Sequence, residues 1–367
     1  MLKPARGFMR SLKKANIEIV EPRMALYLKK NMEILRIFKR YVAKEDLLVY
    51  SIDESFLDVT KSHKLFGSTH EIARKIQRDV WRELGLVLTV GIGPNPLLAK
   101  LALDHQAKHD EKNGFIGEWR YEDVPETVWK IRPLRDFWGI GSKTEEKLIR
   151  MGIRSIGELS QYNFKKLKDN FGVIGLQLFF HAHGIDRTLL SDVYTPKSTS
   201  FSRNQILNRD YKDIHDIEVV IREMTDENVA RIRKNYLMTT VVKLYIGYSR
   251  DVVQGGFNQQ MKIPATDSSK ILKEHMIYIF YKHYEEGTPV RTINVTFGGL
   301  KHKQSLQLNL FEPAEETIQN EELDQTIDHI RQKYGYTSLL HASSLLDGGM
   351  ARFRAKLVGG HRAGEDK

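Results

Sequence analysis

The stretch that most constrains the fold covers residues 47–59, LLVYSIDESFLDV. It holds two short apolar runs, 47–51 and 56–59, folded back at residues 52–54, which end in two carboxylates. Apolar runs this short, interrupted by polar residues, predict two β-strands folded back on each other. The rest of the chain must therefore supply a layer that covers one face of this hairpin, and the carboxylates lie at its turn.

Asp53 and Glu54 are the first candidate site residues. Consecutive side chains on a regular strand point to opposite faces, so these two can share an ion only where the strand turns, as predicted here. Two hard oxygen donors suit Mg2+, which accepts one or two protein carboxylates and completes its shell with water and substrate phosphates. The alternative is ordinary turn chemistry with both side chains solvated. On these residues alone, the solvated turn is the more economical interpretation.

Composition limits the classes of function. The chain has 57 Lys and Arg against 47 Asp and Glu, a formal net charge of +10, which suits a polyanionic partner such as DNA. The absence of cysteine excludes disulfides, thiolate metal sites and cysteine nucleophiles, and fits a reducing, cytoplasmic location. No apolar run approaches the ~20 residues that span a bilayer, so no membrane association is expected.

Hydrophobic periodicity predicts an α+β, multidomain chain with about two to four compact units. In the first part, helices are predicted at 24–42, 68–84 and 95–103, with a buried strand at 86–92. After a linker at 195–199, a β-α-β-β-α-β module is predicted with strands at 199–206, 240–248, 256–263 and 292–298 and helices at 213–235 and 268–284. A further helix is predicted at 321–334.

A glycine hairpin between helices is the second informative motif. It reads Trp138-Gly139-Ile140-Gly141-Ser142-Lys143 and leads into a helix. Gly139 and Gly141 allow the backbone to approach a phosphate closely, and the amides at the start of the Ser142 helix present the positive end of its dipole. A helix-hairpin-helix element of this kind binds the DNA backbone without reading its sequence.

The hairpin sequence Tyr50-Ser51-Ile52-Asp53-Glu54-Ser55, followed by Phe56-Leu57-Asp58, resembles the catalytic palm motif of Y-family translesion DNA polymerases, the polymerase IV and UmuC-type enzymes of Gram-positive bacteria. Further family blocks follow in order at 91–95, 98–102 and 138–143, so the resemblance extends over nearly the whole chain from about Ile17. It implies a partial palm over 1–122, a helix-hairpin-helix thumb over 123–192, a little finger over 197–300, and a clamp-binding motif with a C-terminal extension over 301–367.

The resemblance also implies roles for particular residues. The activity would be template-directed nucleotidyl transfer past damaged bases, in DNA repair and the SOS response, with primer-template DNA and deoxynucleoside triphosphates as substrates. Asp53 and Glu54 would bind Mg2+, of which the complete family enzyme holds two ions, and Lys108 would hold the triphosphate. The alternative for Lys108 is an exposed lysine in a charged loop. A monomer is expected.

Two sets of residues are implied contacts to macromolecular partners. DNA would be held by the hairpin at 139–143 and by basic side chains on the open sheet face of the little finger. The candidate phosphate contacts on that face are Arg203, Lys243, Arg250 and Arg291. The alternative for each of them is a solvated surface charge. The segment Gln307-Leu308-Asn309-Leu310-Phe311 resembles the peptide that bacterial polymerases insert into the sliding clamp, with Gln307, Leu308, Leu310 and Phe311 as its anchors. The alternative is one more strand at 306–311.

One expected family feature is not recognised in the sequence. Y-family enzymes begin with a strand that carries a first metal-binding aspartate, followed by an aromatic steric gate and the fingers, and nothing before Ile17 resembles these. We therefore expect an N-terminally truncated chain that polymerises poorly or not at all, because two-metal chemistry needs that bridging aspartate. The alternative function is a non-catalytic protein that binds damaged DNA and the sliding clamp. A helix-hairpin-helix nuclease or glycosylase fits the thumb motif but not the palm blocks.

Overall fold

The computed structural model describes residues 20–192, 196, 199–303 and 314–364. It divides the chain into two compact units. We call Tyr27–Tyr194 the palm-thumb unit, and Met1–Leu26 with Thr195–Lys367 the little-finger unit. The predicted α+β, multidomain fold is confirmed. Within the described ranges, no helix combines the length and apolar character needed to cross a membrane.

In the first part of the palm-thumb unit, helices pack on the predicted hairpin. The strands β1 (Leu47–Val49) and β2 (Ser55–Leu57) pair antiparallel. Helix α1 (Met24–Phe38) and helix α3 (Thr69–Leu84) bury their apolar sides against each other and against Leu47 and Leu57, and a short helix α2 (His63–Phe66) precedes α3. A capping box between Ser68 and Glu71 starts α3 by satisfying backbone amides that lack a helical partner.

The next elements form a parallel crossover. Strand β3 (Val90–Ile92) pairs with β4 (Ile116–Glu118), and helix α4 (Pro96–His105) connects them. Asn95 caps α4 and Pro96 occupies its first turn, as the sequence predicts. The strand predicted at 86–92 is shorter because residues 86–89 join no ladder. Instead, the Gln77 amide donates to Leu88 O at 2.8 Å and to Gly114 O at 2.9 Å.

The remainder of the palm-thumb unit is helical. It contains α5 (Ser142–Arg150), α6 (Ile156–Gln161), α7 (Phe164–Phe171) and α8 (Val173–Ala182). Their apolar residues form one core with Leu97, Leu98 and Leu101 of α4. The predicted palm-thumb boundary near residue 122 therefore crosses a continuous core, and the four-part division of the chain stays a prediction.

The little-finger unit contains the predicted β-α-β-β-α-β module. The elements are β5 (Phe201–Tyr211), α9 (Ile214–Lys234), β6 (Leu237–Tyr248), β7 (Gly256–Thr266), α10 (Ser269–His283), β8 (Val290–Gly298) and β9 (Lys301–His302). The sheet has the order β5-β8-β6-β7, with the short β9 pairing with β6. Helices α9 and α10 cover one face, where Ile293, Val295 and Phe297 are buried.

The C-terminal extension packs on the little-finger module. It comprises α11 (Ala314–Tyr334), α12 (Ala351–Arg354), β10 (Leu357–Val358) and β11 (His361–Arg362). Arg354 is buried and pairs with Glu223 at 2.8 Å and Glu227 at 2.7 Å, both on α9. None of the α11 residues is buried, and that helix is held by ion pairs instead. Asp324 and Asp328 bind Arg233, and Glu321 binds Lys303.

Candidate functional site

Asp53 and Glu54 lie in a tight turn between β1 and β2, as predicted. The backbone amides of Tyr50 and Ser51 both donate to the Glu54 carbonyl oxygen at 3.0 Å, which closes the turn. The Asp53 carboxylate is exposed and accepts a hydrogen bond from Ser51 Oγ at 2.8 Å. Glu54 is partly buried. The two adjacent carboxylates therefore have different surroundings.

Glu54 begins a line of four alternating charges. Lys100 Nζ lies 2.5 Å from Glu54 Oε1 and 3.1 Å from Asp104 Oδ2, and Asp104 Oδ1 accepts from Lys108 Nζ at 2.6 Å. Burial opposes the charge on Lys100, but hydrogen bonds to Glu54 and Asp104 outweigh it and raise the Lys100 pKa. Burial likewise opposes the charge on Asp104, and its bonds to the two lysines prevail and lower the Asp104 pKa. Lys100 and Asp104 are therefore both charged at neutral pH.

Two glycines position this line of charges. A Cβ on Gly91 would overlap the carbonyl oxygen of Ala99, and one on Gly93 would lie 2.5 Å from the Ala99 amide nitrogen. Their lack of side chains lets β3 and the turn after it lie directly against α4, the helix that carries Lys100 and Asp104. From the sequence, residues 91–95 were identified only as a family block, and the close approach of β3 to α4 is the physical reason for their glycines.

Lys100 and Asp104 were not identified from the sequence. A signal was present, because residues 100, 104 and 108 are spaced by four and side chains at that spacing meet on one side of a helix. Lys108 itself lies in a short 3-10 turn, Ala107–His109, directly after α4. Its side chain is about half exposed and bound to Asp104 rather than standing alone in the loop.

The carboxylates of the turn suit a cation that also binds substrate oxygens. Asp53 and Glu54 are oxygen donors of the kind Mg2+ takes from proteins, usually one or two per ion. In the part of the chain that the structure describes, no group of three Asp, Glu, His or Cys side chains could enclose a metal ion. The remaining ligands would therefore be water and substrate phosphates, or residues beyond those described.

The glycine hairpin presents its backbone to solvent. The side chains of Phe137 and Ile140 are buried in the core, so Ile140 can offer only its backbone to a ligand. Gly139 has φ +95, a left-handed conformation that favours glycine. Gly141 is the N-cap of α5 and provides no side-chain cap, which leaves the first amides of α5 open to an anion. Ser142 and Lys143 are exposed beside them.

An aromatic cluster connects the hairpin turn to the glycine hairpin. Trp138 Nε1 donates to the Tyr50 hydroxyl at 3.2 Å, and the two rings lie 5.7 Å apart. Phe56 and His181 also contact the Trp138 ring. Burial lowers the pKa of His181 despite Asp186 at 4.0 Å, so this imidazole is neutral at pH 7. The two candidate motifs are therefore in direct contact within the palm-thumb unit.

The four basic residues predicted on the little finger have different positions. Lys243 lies on the open sheet face, paired in register with Thr296 and Gln260, and Arg250 is exposed in the turn after β6. Arg291 is partly exposed and lies 3.5 Å from Asp210. Arg203 differs from its predicted placement on the open face. It pairs in register with buried Val295, so it lies on the helix-covered side, where it binds Glu227 of α9 at 2.8 Å.

The open face is polar around Lys243. Thr296 and Gln260 flank it on the neighbouring strands, and Ser202 lies beyond Thr296 on β5. Thr296 Oγ1 donates to the Asn294 side chain at 2.8 Å. Asn294 in turn pairs in register with Asn204 and Tyr245. These groups offer hydrogen bonds but little charge. The proposed clamp segment, Gln307 to Phe311, lies outside the described residues.

Comparison with known proteins agrees with the resemblance seen in the sequence. The impB/mucB/samB family matches residues 5–104, its C-terminal domain matches 197–310, and the IMS family HHH motif matches 121–153. The match begins at residue 5, earlier than the start near Ile17 that we expected from the motifs.

Curated relatives and one solved structure support the same assignment. A putative UV-damage repair protein UvrX of Bacillus subtilis is 40% identical over 95% of this chain and 81% of the relative. A DNA polymerase IV 2 of Halalkalibacterium halodurans is 32% identical over 94% and 82%. A Y-family DNA polymerase chimera has the same fold, with a TM-score of 0.60 and 20% identity over 80% of this chain and 82% of that chain. With these matches extending over both units, the chain belongs to the impB/mucB/samB family, the Y-family translesion DNA polymerases.

Proposed function

We propose that the protein is a DNA polymerase that adds deoxynucleotides to a primer opposite and beyond damaged template bases. The observation that carries this proposal is the contact between two motifs in one unit. The Asp53-Glu54 turn, which can hold a cation, lies beside a pair of lysines and is joined through Trp138 to a glycine hairpin with open helix amides. Nucleotidyl transfer needs these components close together.

Asp53 and Glu54 would hold Mg2+, and Lys108 would bind the triphosphate. Bound Mg2+ lowers the pKa of a primer 3'-hydroxyl and neutralises phosphate charge. Asp53 is exposed and bound only to Ser51 Oγ among the described residues, so it can reach a cation without losing an ion pair. Glu54 must exchange Lys100 for the cation, and Lys108 must leave Asp104 to reach a phosphate.

DNA binding is assigned to two surfaces. In the palm-thumb unit, the backbone at 139–143 would contact phosphates, because its amides are open and Lys143 is exposed. In the little-finger unit, Lys243 and Arg250 would contact phosphates directly. Arg203 and Arg291 would contribute less, because each is already paired with a carboxylate.

The remaining proposals concern the partner and location. Gln307, Leu308, Leu310 and Phe311 would bind the sliding clamp, and the protein would act in the cytoplasm as a monomer. Deleting 307–311 should abolish capture by immobilised clamp while DNA affinity stays unchanged. Capture that persists after the deletion would refute this assignment.

The second candidate function is DNA binding without synthesis. It is favoured by the state of the carboxylate turn, where Glu54 is bound by Lys100 and no third acid or histidine completes a metal site among the described residues. A protein of this kind would occupy primer ends and damaged sites without extending them.

Primer extension separates these functions. The purified chain is incubated with Mg2+, four deoxynucleotides and a primer on a template with an abasic site, beside Asp53→Ala and the matched control Glu122→Ala, an exposed acid of the same unit. Extension that Asp53→Ala abolishes and Glu122→Ala retains would support the polymerase.

Binding to the same DNA is measured in parallel over a range of salt. No extension, with affinity that falls at a log-log slope of about −0.9 per phosphate neutralised, would support the second candidate. Binding that is absent or insensitive to salt would refute both functions.

A further inference from the structure

The line Glu54, Lys100, Asp104 and Lys108 joins the two ends of the proposed active site. Along the line, Glu54 is 26% exposed, Lys100 only 10%, Asp104 30% and Lys108 45%. The cation end is thus anchored by a nearly buried lysine. The triphosphate end is accessible to a ligand.

Asp104 is the shared member of this line. Its Oδ1 atom accepts from Lys108 at 2.6 Å and from Lys100 at 3.2 Å, so one negative charge serves two lysines. Lys100 in turn divides its positive charge between Glu54 and Asp104. The two negative and two positive charges of the line compensate each other. A change in charge at one end must therefore redistribute the ion pairs at the other end.

We propose that Lys100 and Asp104 are positioning residues that couple cation binding at Asp53 and Glu54 to the release of Lys108 for the triphosphate. This inference rests on the proposed polymerase function. A divalent cation at Glu54 competes with Lys100 for the carboxylate and repels its ammonium group. Lys100 then moves fully onto Asp104, whose charge is satisfied, and Lys108 is released to bind phosphate.

The coupling is reciprocal. If a cation strengthens nucleotide binding through this line, the nucleotide strengthens cation binding by the same factor. In the absence of a cation, Asp104 keeps Lys108 in an ion pair. This pairing disfavours the binding of a nucleotide that carries no metal ion. The line therefore selects for the metal-loaded substrate before any chemistry takes place.

Nucleotide affinity with and without cation tests the coupling. A fluorescent dATP that carries an N-methylanthraniloyl group on its 3'-oxygen is titrated into protein with primer-template DNA whose primer lacks a 3'-hydroxyl, in EDTA or at saturating Mg2+. Asp104→Asn removes the charge that holds Lys108. We expect its affinity in EDTA to rise about fivefold, the size of a partly exposed ion pair, while its affinity in Mg2+ stays within about twofold of wild type.

Two further variants make the result specific. Glu111→Gln removes a nearby exposed acid outside the line and should leave both affinities unchanged. Lys108→Ala combined with Asp104→Asn should abolish the gain in EDTA. A gain that persists without Lys108 would overturn the proposal, because the released charge would not be the lysine.

The outcomes also distinguish this inference from the proposed function. If wild type binds the nucleotide in Mg2+ but Asp104→Asn behaves like wild type in EDTA, the coupling is wrong and the polymerase function stands. A merely structural role for Asp104 would lower both affinities together and lower the melting temperature, which also overturns the coupling. If wild type binds no nucleotide under either condition, both the coupling and the triphosphate role of Lys108 are refuted.

Discussion

At the scale of single residues, Asp53 and Glu54 are adjacent in the sequence but contribute differently to stability. Asp53 is exposed, whereas Glu54 is the ion-pair partner of the nearly buried Lys100. We expect Glu54→Gln to lower the free energy of unfolding by about 1 kcal/mol, because Lys100 keeps only Asp104 as a charged partner. Asp53→Asn should change it by less than about 0.5 kcal/mol. Urea unfolding measures both, and equal losses would contradict this assignment.

His181 gives the palm-thumb unit a stability that depends on pH. Burial holds its pKa below the ordinary value of about 6.5, so the unfolded state binds more protons between these two values. Stability is therefore full above about pH 6.5 and falls as the pH drops towards the folded pKa, by at most about 1.4 kcal/mol per pH unit. Urea midpoints at several pH values should show this slope in wild type and lose it in His181→Asn. An unchanged slope in the variant would assign it to another group.

At the scale of elements, two glycines of one hairpin should respond in opposite ways. Gly139→Ala should destabilise by about 1–2 kcal/mol, since its φ of +95 strains any residue with a Cβ even though the space there is open. Gly141→Ser has an ordinary extended conformation and adds an N-cap to α5, so stability should be unchanged or slightly higher.

DNA affinity provides the second measurement on the hairpin. The new serine of Gly141→Ser would occupy the α5 amides and the space through which a phosphate approaches, so binding to primer-template DNA should weaken several-fold without loss of stability. Unchanged binding would place the DNA contact elsewhere.

Periodicity predicted most of the helices and strands, but not which residues of neighbouring elements lie side by side. The alternation of Ile293, Val295 and Phe297 with polar residues identified β8 and its buried face, and the prediction is confirmed. Arg203 was placed on the wrong face because the side of an edge strand depends on its register with β8, which no local pattern encodes. The contact between Lys100 and Glu54 likewise depends on how closely α4 lies to the β1–β2 turn, which no local pattern encodes. Only the spacing by four of residues 100, 104 and 108 was visible in the sequence.

The C-terminal extension supplies a countercharge that α9 needs. Glu223 and Glu227 are both buried, and Arg354 of the extension binds them. Arg354→Met should cost about 3–5 kcal/mol, because it leaves buried Glu223 without its charged partner and Glu227 paired only with Arg203. Adding Glu223→Gln and Glu227→Gln to that variant should restore much of the loss. Urea unfolding of the single and triple variants tests this, and equal stabilities would mean that the cluster is not electrostatically coupled.

At the scale of the whole molecule, the two units have separate cores. We therefore expect unfolding in two steps rather than one. Arg354→Met should move only the step of the little-finger unit, and Glu54→Gln only that of the palm-thumb unit. Calorimetry of the intact chain checks this, and a single transition shifted by both variants would show that the units unfold cooperatively.

Helix α11 is attached to the little-finger unit mainly by charge. Its acids bind Arg233, Lys303 and Lys270, and none of its residues is buried. Dissolved ions screen the exposed pair of Lys270 with Glu316, whereas the largely buried pairs of Arg233 and Lys303 are screened much less. Rising salt would therefore loosen the first turn of α11 before the rest of the helix, which Arg233 and Lys303 keep attached to the module beneath.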